Sequence, residues 1–506
     1  MAPTKVEPRR AGSVAAAAGL AAAELLGSLL PHRPSLVLGI ADRVIAITPA
    51  TVREALIGVV GTQDKLLLAI GIVVAVVSLG AGVGARSARG RLASVWALGL
   101  IAFACALGSA PVWEITALAA GAATVSYVAL GRLAPAPVPV RQPEPISEGL
   151  GPISRRTFFS VTGLTTFAVL AGSGAVIIRR GAVTAVNQVR ATLKLASSTR
   201  PVTIDAAADP HIAGLAPAIT PNRSFYRIDT ALEPPTVDIN NWSLRIEGLV
   251  DHPLTFTYEQ LSALPQVSAV VTLACVSNTV GGDLVSNAIW QGVPLRALLD
   301  QAGVQAGADQ LVGESVDGFT AGFPVALALD GREALVAVGM NGEVLPIAHG
   351  FPARLVVPGL YGYVSATKWL RRIRLTTMAA ESPFWIQQGW SPDGRVAAAA
   401  RIDVPRAGVA LKSGPTVVAG RAWHQHTGVG GVEVQIDTGP WQPATLAAGM
   451  GTDAWRLWTL SWNATPGQHR LTVRMIDPSG AVQSGNTFGV FPGPSSGWHQ
   501  VHLNVS

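Results

Sequence analysis

Long apolar runs in the first 180 residues constrain this chain more than any other feature of its sequence. Each of five runs approaches the roughly 20 residues that an α-helix needs to cross a bilayer, where backbone polar groups must be satisfied within the helix. The sequence therefore predicts an N-terminal α-helical membrane domain of about five spans over residues 1–180. The runs lie at Ser13–Leu30, Leu66–Gly84, Leu92–Ala110, Val112–Leu130 and about Phe158–Ile178.

Residues 36–60 are apolar but interrupted by charge, at Asp42, Arg43, Arg53 and Glu54. Charged side chains are costly inside a bilayer. We therefore expect an interfacial or re-entrant helix pair here instead of a span. A true span at residues 36–60 would reverse the topology of everything that follows.

The charge of the chain is divided between its two parts. Residues 1–200 hold 19 Lys and Arg against 8 Asp and Glu, a balance of +11, whereas residues 201–506 hold 18 against 23, a balance of −5. Basic loops stay on the cytoplasmic side of a membrane. With five spans, the arginines at 86, 89 and 91 are cytoplasmic and the chain after residue 180 is extracytoplasmic. Residues 201–506, which carry a net negative charge, show no basic patch of the kind that binds nucleic acid.

Composition divides the chain further. Residues 131–152 are a proline-rich linker, and residues 181–218 read as a connector. Residues 219–400 alternate strand and helix signals, which predicts an α+β domain. Residues 401–506 contain short strand signals separated by turn residues, which predicts an immunoglobulin-like β-sandwich. Its clearest strands are predicted at Pro415–Trp423, Gly431–Asp437, Trp455–Trp462 and His469–Asp477.

Ser154-Arg155-Arg156-Thr157-Phe158-Phe159, just before the last predicted span, is similar to a twin-arginine export motif. The competing interpretation is two arginines that anchor a helix on its cytoplasmic side. Export in the folded state would suit a domain that must acquire a buried cofactor before it crosses the membrane.

Cys275 is the only cysteine outside the apolar N-terminal part; the other, Cys105, lies in a predicted span and is expected to be a packing residue. Cys275 follows an apolar strand signal and precedes a polar, glycine-rich loop, after which Trp290–Leu295 is predicted to open a helix. A lone thiol at the end of a strand is a small buried hydrophobe, a nucleophile or a metal ligand. We expect no disulfide.

A second stretch, residues 341–370, reads NGEVLPIAHGFPARLVVPGLYGYVSATKWL. It spaces His349, Arg354 and Lys368 among glycines and prolines. Fixed donors beside backbone that can be approached closely suit a large anionic ligand.

The two stretches together resemble the sulfite-oxidase family of molybdopterin-dependent oxidoreductases, in particular its membrane-anchored bacterial members. The resemblance covers roughly residues 219–506 and rests on three motifs in order: T-L-x-C-x-x-N, A-x-W-x-G-V-P-L and N-G-x-x-L-P-x-x-H-G-F-P-x-R-L-V-V-P-G-x-Y-G-Y. It implies a two-electron oxidoreductase of the oxygen-atom-transfer type with a Mo-molybdopterin cofactor.

The resemblance also implies roles for single residues. Cys275 would give one thiolate to molybdenum, which suits a soft, deprotonated sulfur, and Asn278 shares its motif as a catalytic candidate. An ordinary loop is the competing interpretation of the PNRSFYRID segment, and a turn aspartate that of Asp317. The implied cofactor-binding residues are Asn222, Phe225, Tyr226, Asp317, His349, Arg354, Ser365, Thr367 and Lys368.

Departures from the family bear on the substrate. Sulfite oxidases surround the metal with arginines, but residues 276–280, which follow the cysteine, carry no cation. Arg227 is displaced from the expected place, and Phe319 stands where a tyrosine is usual. Without clustered cations a small dianion loses its main electrostatic attraction. We therefore expect a small-molecule substrate other than sulfite.

Electrons must leave or reach such a centre through a partner. The chain has no Cys-x-x-Cys-His motif for a c-type haem, and none of its nine histidines lies in a predicted span, so a membrane b-type haem is not supported. We expect a separate cytochrome or quinone-linked partner. The family often dimerises through its C-terminal domain, so a homodimer is an expectation. Two rivals remain: a non-catalytic membrane-anchored binding or adhesion protein, and a cysteine acyltransferase.

Overall fold

The computed structural model describes residues 7–30, 35–48, 64–107, 112–133, 155–231 and 233–506. Most of the predicted proline-rich linker (131–152) lies outside these ranges. The second half of the helix pair predicted over residues 36–60 also lies outside them, from residue 49 onward. The described chain forms two units, Met1–Ala185 with Thr230–Glu233, and Val186–Asp229 with Pro234–Ser506.

The first unit is built from apolar helices. Within the described ranges, four are long and apolar enough to cross a membrane, namely Pro8–Leu29, Leu67–Gly84, Val112–Leu133 and Ser160–Thr192, and the apolar helix Gly90–Ala106 is shorter. These five helices overlap the five predicted apolar runs, and the number of membrane spans stays a prediction. The complete helices are α1 (Pro8–Leu29), α2 (Leu36–Ile47), α3 (Asp64–Gly84), α4 (Ala88–Ala106), α5 (Val112–Leu133) and α6 (Arg155–Thr192).

Two features hold the first unit together. Small side chains let the helices approach closely, as where Ala11 and Ala15 of α1 join a buried cluster with Val83 and Val95. A polar link adds to this packing, because Glu24 of α1 accepts a hydrogen bond from Arg179 of α6 at 3.0 Å. Pairing satisfies two ionisable groups in an otherwise apolar environment.

The second unit begins with an α+β region that contains two sheets. The first has the strand order β2-β1-β10-β5-β6, and the second has the order β3-β4-β7-β8, with β9 paired to β7. Their strands are β1 (Ser243–Gly248), β2 (Leu254–Thr257), β3 (Val267–Ala274), β4 (Val285–Pro294), β5 (Gln310–Ser315), β6 (Thr320–Pro324), β7 (Leu335–Met340), β8 (Glu343–Val344), β9 (Arg354–Val356) and β10 (Leu370–Thr376). Short helices connect them: α7 (Tyr258–Ala263), α8 (Leu295–Ala302), α9 (Ala326–Leu329), α10 (Gly362–Ser365) and α11 (Phe384–Gln387).

The predicted helix start at Trp290–Leu295 is wrong. Strand β4 continues to Pro294, because its last residues pair with β7 in a register that joins Trp290 to Met340 and Pro294 to Leu335. Helix α8 begins only at Leu295. Tertiary pairing decides the conformation of a segment whose local sequence is compatible with either state.

Residues 399–505 are all-β, as predicted. Their strands are β11 (Ala399–Val404), β12 (Ala410–Leu411), β13 (Gly414–Trp423), β14 (Gly431–Ile436), β15 (Trp441–Pro443), β16 (Thr445–Leu446), β17 (Arg456–Ala464), β18 (Gly467–Ile476) and β19 (His499–Val505). One sheet has the order β11-β13-β17-β16 and the other β12-β19-β18-β14-β15. Val418 and Trp458 of the first share a buried cluster with Val434 and Leu471 of the second. The specifically immunoglobulin-like character of this region stays a prediction.

The C-terminal β-region is tied to strand β3 by hydrogen bonds around one buried threonine. The amide of Thr272 donates to Asp453 at 2.9 Å, and its hydroxyl accepts the amide of Trp455 at 2.7 Å. Gln425 donates to the carbonyl of Thr272 at 3.0 Å. Strand β3, which ends at Ala274 just before Cys275, is therefore held from both parts of the second unit.

Candidate functional site

Cys275 follows the last residue of β3, a strand whose side chains are nearly all buried. Its amide donates to the carbonyl of Leu284 at 2.9 Å, which closes the loop between β3 and β4. The thiol is partly exposed. Burial of its surroundings raises its pKa above the ordinary value, and hydrogen bonds from Ser277 oppose this rise only in part. Without a metal the group is a neutral thiol at pH 7, which is the wrong state for a nucleophile.

The loop after Cys275 is fixed from inside and from the C-terminal β-region. Asn278 accepts the amide of Leu284 on its side-chain oxygen at 2.9 Å, and its carbonyl accepts from Ser495 at 2.6 Å. Gly281 has φ +76, and a Cβ there would lie 2.1 Å from the ring of His499. Asn278 is predicted to be catalytic. In the structure its side-chain oxygen instead accepts a hydrogen bond that stabilises the loop following the thiol.

Two tyrosines lie beside the thiol. Burial raises the pKa of Tyr226 well above its ordinary range, and Cys275 raises it further. The same causes raise the pKa of Tyr361 to about 12. Gly362, next to Tyr361, lies close to the Tyr226 side chain and to the end of β3. A Cβ at this position would sit 3.9 Å from the Tyr226 hydroxyl and 4.0 Å from the carbonyl of Ala274. The wall around the thiol is therefore aromatic and carries neutral hydroxyls.

Arg354 is the cation of the site. It opens β9, is only 4% exposed, and places its guanidinium 4.8 Å from the centre of the Trp290 ring. It donates to the carbonyls of His349 at 3.2 Å and Leu355 at 3.3 Å. Within the described residues it pairs with no carboxylate. Burial lowers its pKa to about 10.

A buried cation with no counter-ion is expensive, by several kcal/mol in typical cases. Folding keeps such a group only where something else compensates it, and an anionic ligand is the usual compensation. This arrangement is consistent with the predicted role of Arg354 in holding an anion, which stays a prediction.

His349 supports this site as a neutral side chain. Its Nε2 lies 2.8 Å from the carbonyl of Asn222, which can only accept, so Nε2 carries the proton. Burial lowers the pKa of His349 to about 4, and the charge of Arg354 adds to this. Phe225 packs edge-on against the ring at 5.5 Å between centroids. At neutral pH the remaining nitrogen, Nδ1, is a hydrogen-bond acceptor.

Asn222 holds the loop that carries Phe225 and Tyr226. Its side-chain oxygen accepts from Asn341 at 2.7 Å, and its amide donates to the carboxylate of Glu343. All its side-chain bonds are thus to protein groups. Its contribution to a bound cofactor would be to fix His349 through the backbone.

Ser365 and Thr367 are fully buried, and their hydroxyls donate to the backbone. Ser365 donates to Tyr361 at 3.0 Å, and Thr367 donates to Gly313 at 3.3 Å. Ser365 therefore stabilises the α10 turn, and Thr367 ties the segment after this turn to β5. Because both hydroxyls bond within the protein, backbone groups are the available contacts. Gly350, with φ +112, lets this turn approach closely, since a Cβ would lie 3.1 Å from the Cβ atoms of Arg354 and Lys368.

Lys368 and Asp317 are placed differently from Arg354. The ammonium of Lys368 contacts the buried carboxylate of Asp229 and donates to the carbonyl of Ile228 at 3.0 Å. Asp317 lies in the turn between β5 and β6, where it accepts the amide of Phe319 at 3.1 Å. The geometry explains both residues by contacts within the protein, and their predicted cofactor contacts stay predictions.

Clustered cations do not surround the thiol in the described residues. Arg227 is half exposed and pairs with Asp229 at 3.3 Å, and Lys368 is paired with the same carboxylate. Of the three cations Arg227, Arg354 and Lys368, Arg354 is the one with no acidic partner in the part of the chain that the structure describes. No group of three His, Cys, Asp or Glu side chains is arranged to hold a metal ion in the described ranges. A metal at Cys275 would bring most of its ligands with it.

Sequence reasoning missed three contributors to the site: Tyr361, Asp229 and Asn341. Asn341 adopts φ +51 and ties together the backbone of Thr220, the amide of Ile289 and the side chain of Asn222. An Asn-Gly pair at 341–342 signals such a left-handed turn, but nothing in the sequence tells which loops it joins.

Comparisons with known proteins agree with this geometry. Residues 231–385 match the family model described as the oxidoreductase molybdopterin binding domain. An uncharacterised oxidoreductase of Bacillus subtilis (strain 168), YuiH, is 34% identical over 171 residues, which cover 34% of this chain and 83% of YuiH. Human mitochondrial sulfite oxidase is 30% identical over 343 residues, which cover 57% of this chain and 62% of that protein.

The sulfane dehydrogenase SoxCD from Paracoccus pantotrophus has a similar fold. The TM-score is 0.51 at 24% identity, over 63% of this chain and 92% of that one. The matches cover only part of the larger relatives, 62% of human sulfite oxidase and 19% of a tomato nitrate reductase.

Proposed function

The chain belongs to the sulfite-oxidase family of molybdopterin-dependent oxidoreductases, and from this premise we propose that it is a membrane-anchored, extracytoplasmic oxidoreductase whose substrate is not sulfite. The observation that carries the proposal is that the buried Tyr226 interacts with both the Cys275 thiol and the buried Arg354, which has no carboxylate partner among the described residues. The family's cofactor is Mo-molybdopterin.

The residues present fit this cofactor. Cys275 offers a single soft sulfur, and coordination to a metal would remove the proton that burial otherwise retains. Arg354 would meet the anionic part of the cofactor, and that contact would compensate its buried charge. His349 would offer Nδ1 as an acceptor to an N–H or O–H group. When bound, the cofactor supplies a metal that exchanges two electrons together with an oxygen atom.

The chain's own residues would shape the reaction rather than carry it. Tyr226 and Tyr361, whose pKa values are raised, keep their protons at pH 7 and can donate hydrogen bonds to a polar group at the thiol. The loop containing Asn278 and Gly281 keeps the sulfur at a fixed position.

The membrane arrangement is part of the proposal. Apolar helices α1, α3, α5 and α6, with the shorter α4, have the length and composition of an anchor. Five spans and a cytoplasmic cluster of basic residues after α3 would leave the second unit outside the cytoplasm. Reagent labelling of single cysteines introduced at exposed positions of the second unit, in intact cells, tests its side.

Sulfite is disfavoured by charge. A small dianion needs fixed cations near the metal, and the described residues around Cys275 supply neutral tyrosines instead. Arg227 and Lys368 are both tied to Asp229. We therefore expect a small, uncharged substrate that accepts or donates an oxygen atom. Rapid sulfite-dependent turnover would contradict this expectation.

A partner must exchange single electrons with the site. We propose a separate cytochrome or quinone-linked protein for this role, and the C-terminal β-region as the surface through which two copies form a homodimer. Light scattering of the purified protein tests the dimer.

The decisive experiment is the molybdenum content of the protein, purified in detergent from a host that makes the cofactor. Wild type should contain about one molybdenum per chain and give a Mo(V) resonance, since one thiolate joins the metal to the protein. Cys275→Ser should lose or alter that resonance, whereas Cys105→Ser, in an apolar helix, should not. A folded wild type without molybdenum would favour a non-catalytic binding protein.

A metal-free, titratable thiol at Cys275 in that preparation would favour the acyltransferase interpretation. The geometry gives it no support, because His349 uses its Nε2 on the carbonyl of Asn222 and the groups that interact with the thiol are Ser277 and two tyrosines.

A further inference from the structure

The end of helix α6 is packed into the cluster that carries the site. Residues from 186 onward belong to the second unit, and Val186, Leu193 and Leu195 pack against the cluster that contains Phe225 and Trp290. Beyond the helix, the carbonyl of Ala196 accepts from Gln291 at 2.7 Å. The last residues of α6, from Val186 onward, are thus a structural component of the second unit.

One charged side chain on this last part of α6 reaches toward the site. Arg190 donates to the carbonyl of Val344 at 2.8 Å and lies 3.5 Å from the carboxylate of Glu343. The arginine side chain is 22% exposed. It is therefore anchored by a backbone bond as well as by charge, unlike an ordinary surface pair.

Glu343 continues the connection inward. Its carboxylate accepts from the side chain of Asn222, whose carbonyl in turn accepts from His349 at 2.8 Å. The carbonyl of His349 accepts from Arg354 at 3.2 Å. Each member thus fixes the orientation of the next, from the surface of α6 to the buried guanidinium.

We propose that Arg190 and Glu343 are positioning residues for the cofactor, acting through Asn222 and His349 on the anion-binding Arg354. The inference rests on the proposed function, because it requires the anionic ligand to be the pterin cofactor. It makes the end of the membrane helix part of the cofactor-binding apparatus.

Charge gives a second reason for the pairing. Burial lowers the pKa of His349, and the negative charge of Glu343 opposes this lowering slightly, so that charge is felt at the residues beside Arg354. Arg190 offsets that charge. Removal of Arg190 would leave Asn222 less restrained and expose a bound anion to an uncompensated carboxylate.

The test measures how fast the cofactor leaves the full-length protein. Arg190→Met, Glu343→Gln and wild type are purified in detergent from a cofactor-competent host, and release of the fluorescent oxidised pterin is followed at a fixed temperature below unfolding. Arg200→Met is the matched control, because Arg200 also pairs with a glutamate, Glu333, but with 61% of its side chain exposed. The same variants are made without cofactor, and their thermal unfolding is measured.

Arg190→Met should release the pterin about 10-fold faster than wild type, the lower range for residues that orient primary ligands. Glu343→Gln should increase the rate of pterin release by a smaller factor, because glutamine keeps an acceptor for the Asn222 amide. Arg190→Lys should release pterin more slowly than Arg190→Met but faster than wild type. Arg200→Met should match wild type.

Two results would overturn the inference: release from Arg190→Met at the wild-type rate, or a loss of stability in its cofactor-free form that accounts for the faster release. A wild type that contains no pterin is a different result, since it would overturn the proposed function itself.

Discussion

Two buried arginines in the second unit make a natural comparison. Arg354, in the site, and Arg421, in the C-terminal β-region, are 4% and 6% exposed. Each stacks on a tryptophan, at 4.8 Å from the ring of Trp290 and 4.6 Å from that of Trp455. Burial lowers the pKa of both to about 10.

Their partners differ. Arg421 lies 3.5 Å from the buried carboxylate of Asp403, which Arg401 also contacts at 2.6 Å. Among the described residues, the hydrogen-bond acceptors of the Arg354 guanidinium are backbone carbonyls, those of His349 and Leu355. Burial and an aromatic stack therefore do not mark a functional arginine. We propose that burial combined with the lack of a counter-ion does.

The largest expected effect of this difference is on cofactor retention. Arg354→Met should weaken retention by about 100-fold, equivalent to about 3 kcal/mol, because it removes the buried partner of an anion. Arg421→Met should retain a normal amount of cofactor per folded chain. Pterin and molybdenum content of the two purified variants decides this, and equal losses would end the comparison.

Stability without the cofactor should show the opposite order. Arg421→Met should lower the free energy of unfolding by about 3 kcal/mol, since it leaves part of a buried carboxylate's charge uncompensated. Arg354→Met removes a charge that has no carboxylate partner and should change it by less than about 1 kcal/mol, or raise it. Denaturant unfolding of protein from a host lacking cofactor synthesis measures both, and a large loss for Arg354→Met would contradict the assignment.

The dependence of stability on pH tests the protonation state of His349, the residue whose carbonyl accepts from Arg354. The unfolded chain protonates His349 near pH 6.5, but the folded chain does so only near pH 4, so acid favours unfolding between these values. The contribution of His349 to the free energy of unfolding should fall by up to about 3 kcal/mol across this window and be fully present above it. Other groups titrate here as well.

His349→Gln isolates the effect, because it keeps a donor for the carbonyl of Asn222 but cannot titrate. The variant should be less sensitive to pH than wild type between pH 6.5 and 4 in cofactor-free protein. Parallel pH profiles for the two proteins would contradict the neutral histidine.

The smallest effect is expected for an exposed arginine with a carboxylate. Arg395 and Asp393 are 3.3 Å apart with 67% and 66% of their side chains exposed. Arg395→Met should change the free energy of unfolding by no more than about 0.5 kcal/mol. The same unfolding assay checks it, and a change as large as that of Arg421→Met would show that burial is not the controlling variable.

Much of the fold could be predicted from local sequence. The apolar N-terminal helices, β3, the strand at Arg354 and the four strong strands of the C-terminal region follow from apolar length and alternation. The segment Trp290–Pro294 could not, because its strand conformation depends on pairing with β7, whose residues are distant in sequence. Local signals do not record such partners.

The sequence names candidate residues for the site but not their pairings. The motifs point to Cys275, His349 and Arg354; in the structure Arg354 donates to the carbonyl of His349, and Tyr226 interacts with both Cys275 and Arg354. They also point to Lys368, yet only the fold places Asp229 against its ammonium. Likewise the sequence cannot tell that Asn278 closes a loop or that Asn222 is held by Asn341 and Glu343. Which cation lacks a partner is a property of three-dimensional packing.

The contacts made by the C-terminal β-region with the loop after Cys275 have a consequence for biosynthesis. Arg401 donates to the carbonyl of Gly282, Ser495 to that of Asn278, and His499 lies against Gly281. These residues leave the ribosome long after Cys275 does. The nascent chain therefore cannot give the cysteine loop its final form until strand β19 has been synthesised, and insertion of the cofactor should be a post-translational event.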